Sequence, residues 1–286
     1  MGDDAKNAVP GPVYICGRQH SGNTVLALAL GRLPPFLALP QDLPYFEHLE
    51  LIDQTRNPRK RVAYAIRCMM LELESARLQL EVSAWLNRWI LDHSAASAID
   101  IYLEAMHFAV RSRRKEWWAQ KATSYIFYAD QVLDLVPNSR MIYMLRNPYD
   151  LAASKKQRDP GIDRIWAHSV SWYKGLRKAL ALQERHPARF RIVRYEDLVL
   201  APETTMRTLC NFLGVAFDPQ CLDVPHINRA EKPHVWTVDA DATYGLSRSR
   251  VFYYPSHLAQ PEMAALDQLS SRRLLHEFYP NLPHQT

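Results

Sequence analysis

No stretch of this 286-residue chain approaches the run of about 20 apolar residues that a membrane-spanning helix needs. The best, Val25 to Leu30, is ended by Gly31-Arg32 and then by Pro34-Pro35. The amino terminus carries Asp3 and Asp4 and no apolar run before Pro10, so it does not read as a secretory leader. Met1-Gly2 begins like a myristoylation signal, but Lys6 stands where that signal needs Ser or Thr. Cysteine is scarce and scattered. Cys16, Cys68, Cys210 and Cys221 form no CxxC pair, which argues against a zinc ribbon or a disulfide frame. Such cysteines fit a reducing, cytoplasmic setting, with a trimmed form of an anchored Golgi-type enzyme as the alternative. His93, His168, His186, His226, His234 and His257 show no ligand-like spacing, so no metal is expected. There is no internal repeat. Glycine is also rare, nine residues against 19 prolines, so two glycines close together carry weight.

What is present is the composition of a globular protein, 48% hydrophobic and 23% charged. The net charge, 35 − 30 = +5, suits an anionic ligand. Basic residues are spread along the chain, so no nucleic-acid partner is expected. The densest run, Arg111, Arg113, Arg114 and Lys115, reads as a solvated face, with steering of an anionic acceptor as its functional alternative.

Val13-Tyr14-Ile15-Cys16 reads as a strand, followed by Gly17, a polar loop and a helix from Asn23 to Arg32. Residues 33–58, rich in Pro, Asp and Glu, read as irregular. Helical periodicity runs from Arg59 to Asp92 through Val62, Ile66, Met69, Met70, Leu73, Leu78, Val82, Trp85, Trp89 and Ile90, and a second helix from Ile99 to Arg113. Then come a strand at Trp117–Lys121, a helix at Ile126–Leu135 and the apolar strand Met141–Leu145, of the kind buried on both faces of a parallel sheet. Helices follow from Asp150 and over Trp166–Arg185, then a strand at Phe190–Arg194 and a helix ending before Gly214. Residues 216–258 read as irregular and Glu262–Phe278 as a closing helix. The alternation predicts an α/β fold. It is one P-loop-like domain over residues 1–286, a central parallel sheet flanked by helices, with residues 36–115 as a helical cap on the substrate side.

Gly17-Arg18-Gln19-His20-Ser21-Gly22-Asn23-Thr24 has the G-x4-G spacing of a nucleotide P-loop, with Asn23 where the lysine belongs. Its glycines let the backbone turn so that N–H groups converge on an anion at a helix amino terminus. Ser21 and Thr24 add hydroxyl donors. A nucleoside triphosphatase needs the missing lysine, and magnesium held by a carboxylate at the end of a second strand. Here the second strand ends in Arg146, so a cation replaces the metal-binding anion. That favours an anionic nucleotide neutralised by arginine and amides, without metal, over a kinase. Arg146 and Ser154, eight residues apart, suit one phosphate, as a guanidinium fork and a single donor. The plain alternative is an Arg146–Asp150 pair with Ser154 incidental.

The loop, the segment Arg146-Asn147-Pro148-Tyr149-Asp150-x3-Ser154 and Arg194-Tyr195-Glu196-Asp197-Leu198, with Phe212-Leu213-Gly214 beyond, occur in this order. Together they resemble the sulfotransferases that use 3′-phosphoadenosine 5′-phosphosulfate (PAPS), from about residue 13 to 214 and more loosely to the end. The resemblance implies that Arg18, Gln19, His20, Ser21, Gly22, Asn23 and Thr24 form the co-substrate loop, with His20 to Thr24 around the 5′-phosphosulfate. It places Arg146 and Ser154 on the 3′-phosphate, Tyr195 near adenine, and Arg248 and Arg250 over the 3′-phosphate. Two departures stand out. His20 occupies a position where the family has Lys or Arg, with Asn23 in place of Thr and Arg18 as a substitute cation. Lys121-Ala122-Thr123 replaces the family's Lys-Thr-Pro.

The implied reaction moves a sulfuryl group from PAPS to a hydroxyl, or second an amine, in line and without metal, leaving adenosine 3′,5′-bisphosphate. His20 and Lys121 are the candidate stabilisers of the leaving phosphate, and Glu47 is the candidate base. His48, Glu50, Asp53 and His107 are its rivals. The partner is a small-molecule, glycan or peptide hydroxyl; oligomeric state stays open. A P-loop kinase or hydrolase, or a non-catalytic nucleotide binder on the same scaffold, are the alternatives.

Overall fold

Apolar residues of both parities run through the strand segments, so a sheet built from them must be covered on both faces. The computed structural model describes residues 10–69, 76–156, 162–224, 246–269 and 272–282. Five parallel strands, β1 (Val13–Gly17), β2 (Phe36–Leu39), β3 (Trp117–Lys121), β4 (Arg140–Leu145) and β5 (Phe190–Arg194), lie in the order β2-β3-β1-β4-β5. Ile15 pairs with Lys121 and Gly17 with Met144. The register therefore brings Gly17, Lys121 and Arg146 to one edge of the sheet, where the chain order reverses about β1. In open α/β sheets that crevice is the ordinary place for a ligand.

The helices are α1 (Asn23–Arg32), α2 (Leu49–Asp53), α3 (Pro58–Met69), α4 (Ala76–Asp92), α5 (Ala98–Ser112), α6 (Ala129–Leu135), α7 (Pro148–Lys156), α8 (Ile162–Arg185), α9 (Tyr195–Leu200), α10 (Pro202–Leu213), α11 (Gln260–Leu269) and α12 (Arg272–Phe278). Strand residues alternate between two cores. Val13, Ile15, Ile142 and Met144 pack under α1, α9 and α10. Tyr14, Cys16, Met141 and Tyr143 pack on the other side with α3, α4, α5, α6 and α8. Local signals set several boundaries. Ser97 and Asp100 form a capping box at the start of α5. Pro148 and Pro202 occupy first turns, where no N–H is needed. Gly214 ends α10 at φ 71°.

Some expectations are corrected. Residues 33–58 are not irregular: they hold β2, a 3-10 turn at Tyr45–His48 and α2. β2 is four residues set between Pro34-Pro35 and Pro40, and among the described residues it is an edge strand paired with β3 alone. Residues 36–39 are thus part of the sheet and not of the helical block that follows. The helix read over Arg59–Asp92 is α3 and α4; Met70 and Leu73 lie outside the described residues, as do His226 and His234. The stretch from Ile126 opens as a 3-10 turn (Thr123–Ile126) before α6, and the closing helix is the pair α11 and α12. Among the described residues no helix is long and apolar enough to cross a membrane.

Candidate functional site

β1 delivers the chain into a loop where three residues take positive φ, Gly17 at 141°, His20 at 69° and Gly22 at 89°. Gly22 is the N-cap of α1 and no side chain caps that helix, so its first-turn N–H groups face the loop. Asn23, in the position of a P-loop lysine, is buried, and its amide donates to the carbonyls of Gly17 (3.4 Å) and Arg18 (3.0 Å). It closes the loop on itself. The Ser21 hydroxyl is buried without a hydrogen-bond partner among the described residues. A buried donor of this kind beside an uncapped helix start is what an anion would satisfy. Arg18, Gln19 and His20 line a cavity of about 10 Å³ with Pro148, Leu151 and Trp172, room for a single water. Burial lowers the pKa of Arg18, and the nearby Tyr143 opposes that shift.

Arg146 follows β4 and is only 4% exposed. One guanidinium nitrogen donates to the His20 carbonyl at 2.7 Å and the other to the carbonyl of Arg250. Its Cζ lies over the Tyr195 ring, 4.6 Å from the centre, and 5.7 Å from the centre of the Tyr253 ring. Tyr195 in turn rests on Gly22, where a Cβ would overlap the ring. The Arg146–Asp150 pair is present too, at 3.7 Å, but it is one of several contacts. Ser154 is hydrogen-bonded to the Tyr253 hydroxyl at 2.6 Å. The predicted phosphate loop, Arg146, Ser154, Tyr195 and Arg250 are therefore brought together. Arg250 lies against Tyr253, 5.2 Å from its ring centre, whereas Arg248 reaches the Leu200 carbonyl at 3.4 Å.

Two buried carboxylates hold this arrangement. Asp150 accepts from the backbone N–H groups of Phe252 (2.8 Å) and Tyr254 (3.1 Å), which fixes the late segment beside Arg146. Glu196 accepts from the Asn147 backbone (3.0 Å), the Asn147 amide (2.8 Å) and the Tyr279 hydroxyl (3.0 Å). Burial raises the pKa of both acids, and the Arg146 charge works against it. Trp172, on α8, is fully buried and donates to the Arg146 carbonyl at 2.9 Å.

Lys121 is not a surface residue: it is 5% exposed, and its ammonium lies 2.8 Å from an Asp42 carboxylate oxygen. The other Asp42 oxygen accepts from the Thr123 N–H at 2.9 Å. Sequence reasoning missed Asp42, which stands three residues after β2, a strand that the sequence did not show. Glu47 is exposed and accepts from the Ser124 hydroxyl. The rivals are otherwise engaged. Asp53 accepts from the Ala98 N–H at the start of α5 (2.6 Å), Glu50 from Gln54 (3.2 Å), and His48 lies near Tyr64. His107 packs edge-on to Trp118, and burial lowers its pKa. Behind Lys121 runs a buried chain: the Tyr14 and Tyr102 hydroxyls bond at 3.0 Å, Tyr102 donates to Gln120 at 2.5 Å, and Gln120 donates to the Leu43 carbonyl at 3.3 Å. It anchors the segment that carries Asp42 and Glu47. Among the described residues no three His, Cys, Asp or Glu side chains gather as metal ligands would.

A family model described as the sulfotransferase family matches residues 12–219. The sulfotransferase domain of the olefin synthase of Synechococcus PCC 7002 superposes with a TM-score of 0.57 at 20% identity, over 92% of this chain and 96% of that one. The sulfotransferase domain from the curacin biosynthetic pathway gives 0.61 at 17% identity, over 96% and 99%. At such identities these likenesses speak for the fold. No curated protein sequence matches the chain.

Proposed function

The chain belongs to the sulfotransferase family, and from that premise we propose that it takes PAPS as donor and a hydroxyl as acceptor, without a metal ion. The observation that carries the donor assignment is Arg146, one buried cation that ties the loop carbonyl of His20 to the late segment at Arg250 and stacks on Tyr195. A cation there suits a second phosphate and takes the place of the carboxylate that would hold magnesium. The first-turn amides of α1 with Ser21, His20 and Thr24 would hold the 5′-side anion, with Arg18 as a second cation and Gln19 at the mouth. Arg146, Ser154 and Arg250 would hold the 3′-phosphate, with Arg248 closing from the rim and Tyr195 flanking the adenosine.

When bound, the co-substrate supplies the sulfuryl group, whose sulfur bonds to the acceptor oxygen as its bond to the leaving phosphate breaks. The protein's part is positioning and charge. Lys121, desolvated at the end of β3, presents a fixed cation to the reacting centre, where low dielectric strengthens its field. Two carboxylates are the candidate proton acceptors. Asp42 pairs with Lys121 directly, whereas Glu47 accepts from Ser124, three residues after Lys121 in the chain. We assign the base role to Asp42 and an orienting role to Glu47, the residue that sequence reasoning favoured. Asp42→Asn should then lower turnover by roughly 10²–10⁴-fold and Glu47→Gln by much less.

The assay is release of adenosine 3′,5′-bisphosphate from PAPS across a panel of phenols, sugars, alcohols and peptides, alongside thermal stabilisation by the bisphosphate and by ATP with magnesium. The reading requires stabilisation by the bisphosphate, its loss in Arg146→Ala, and acceptor-dependent release. Stabilisation by magnesium-ATP instead would point to a kinase or hydrolase. One feature favours a non-catalytic binder: a histidine at φ 69° stands where the family resemblance calls for Lys or Arg. Bisphosphate binding with no turnover on any acceptor would select that reading.

A further inference from the structure

The cap contains an open groove of about 530 Å³ between α2, the start of α5 and α6. Leu49, Ile99 and Leu135 give it apolar walls, Glu50 and Asp53 contribute carboxylates, and Gln131 and Gln54, which donates to Glu50, contribute amides. No Lys, Arg or His lines it, in a chain whose net charge is +5. The size is that of a small-molecule site, and apolar walls with a few polar groups are what such a site needs. Leu135 is 37% exposed, so an apolar wall here faces solvent.

Its position is set by the chain. α2 is the direct continuation of the 3-10 turn that carries Glu47, and α6 follows the 3-10 turn that carries Ser124. The Ser124–Glu47 hydrogen bond joins those two turns. Both helices are therefore tied, through Glu47 and Ser124, to a turn three residues after Lys121 in the chain.

Resting on the sulfotransferase reading, we propose that this groove holds the tail of the acceptor, and that it accepts an elongated amphipathic alcohol with a neutral or cationic end while disfavouring polyanionic sugars. The apolar walls take a hydrocarbon stem, and Glu50 and Asp53 select the charge at its far end. A unit charge about 4 Å from one carboxylate in water is worth roughly a fivefold change in affinity, gained by an ammonium end and lost by a carboxylate end, so one such contact separates the two ends by about 25-fold and a longer one by less.

The test uses three eight-carbon primary alcohols that differ only at the far end: methyl, trimethylammonium or carboxylate. Transfer from PAPS to each is measured in the wild type, Gln131→Lys and Leu135→Lys, with ethanol as a tail-less acceptor. The expected KM order is ammonium below methyl below carboxylate. Gln131→Lys should compress or invert that order, Leu135→Lys should raise KM for the methyl-ended alcohol, and rates with ethanol should not change. Equal KM values for the three ends, or an order unmoved by Gln131→Lys, overturn the assignment. If no alcohol is sulfated, calorimetric titration of the same three alcohols into the protein, with and without the bisphosphate, decides it. The same affinity order, lost in Gln131→Lys, upholds the groove while the transfer reading fails; no order overturns the groove.

Discussion

Replacing Gly22 by Ala perturbs the point where the phosphate loop meets the arginine site. The backbone there has φ 89° and ψ 12°, a left-handed conformation that costs an L-residue about 1–2 kcal/mol. The new methyl would also overlap Cδ2 of Tyr195 and lie 3.0 Å from Cε2. Overpacking of this kind costs about 1–3 kcal/mol more. The sum, roughly 2–5 kcal/mol, corresponds to a fall in Tm of about 3–8 °C for a chain of this size. If the ring gives way, Tyr195 leaves the face of Arg146, so affinity for adenosine 3′,5′-bisphosphate falls as well. The double variant with Tyr195→Ala separates the two costs. Without the ring only the backbone strain remains, so Gly22→Ala in that background should cost about 1–2 kcal/mol. Thermal and denaturant unfolding of the four proteins gives the coupling energy, expected at about 1–3 kcal/mol. Additivity within about 0.5 kcal/mol would refute the contact between loop and ring as the reason for glycine at this position.

Lys121→Ala should reduce kcat by roughly 10²–10³-fold with little change in bisphosphate affinity; a loss confined to binding would contradict its place at the reacting centre. Asp150→Ala strands the N–H groups of Phe252 and Tyr254, at about 1–3 kcal/mol for each group left buried. Faster limited proteolysis at residues 246–254 and a weaker bisphosphate complex are expected; unchanged cleavage would sink the anchoring role. Glu196 has a folded-state pKa raised by burial, so between its unfolded and folded values the native protein binds the extra proton. Stability from this group is therefore lost as pH rises from about 4.5 through the raised value. Glu196→Gln should flatten that part of the stability–pH curve, and an unchanged slope would show that the carboxyl is not the titrating group.

Much of the site was legible because its parts are local. Gly17 and Gly22 stand out in a glycine-poor chain, and β4 reads as an apolar run ending in Arg146. What sequence did not disclose depends on contacts across the fold. β2 is too short, and too closely bounded by prolines, to show a period. Asp42 matters only because parallel pairing lays β2 beside β3 and so brings it to Lys121. Asn23 looked like a departure at a ligand position, yet its amide is spent on the loop's own carbonyls. Tyr253, the partner of Ser154, comes from a stretch that read as irregular, placed by two hydrogen bonds to a carboxylate about a hundred residues earlier. The burial of Lys121 was not legible, because nothing in a strand-end sequence tells how much of it the following segment covers.

Calorimetric titration of adenosine 3′,5′-bisphosphate into the protein in EDTA, repeated with magnesium, tests the donor assignment most directly. One site of equal affinity in both buffers, lost in Arg146→Ala and not filled by ATP, is the predicted result. Binding that appears only with magnesium, or a bisphosphate affinity unchanged by Arg146→Ala, would contradict it.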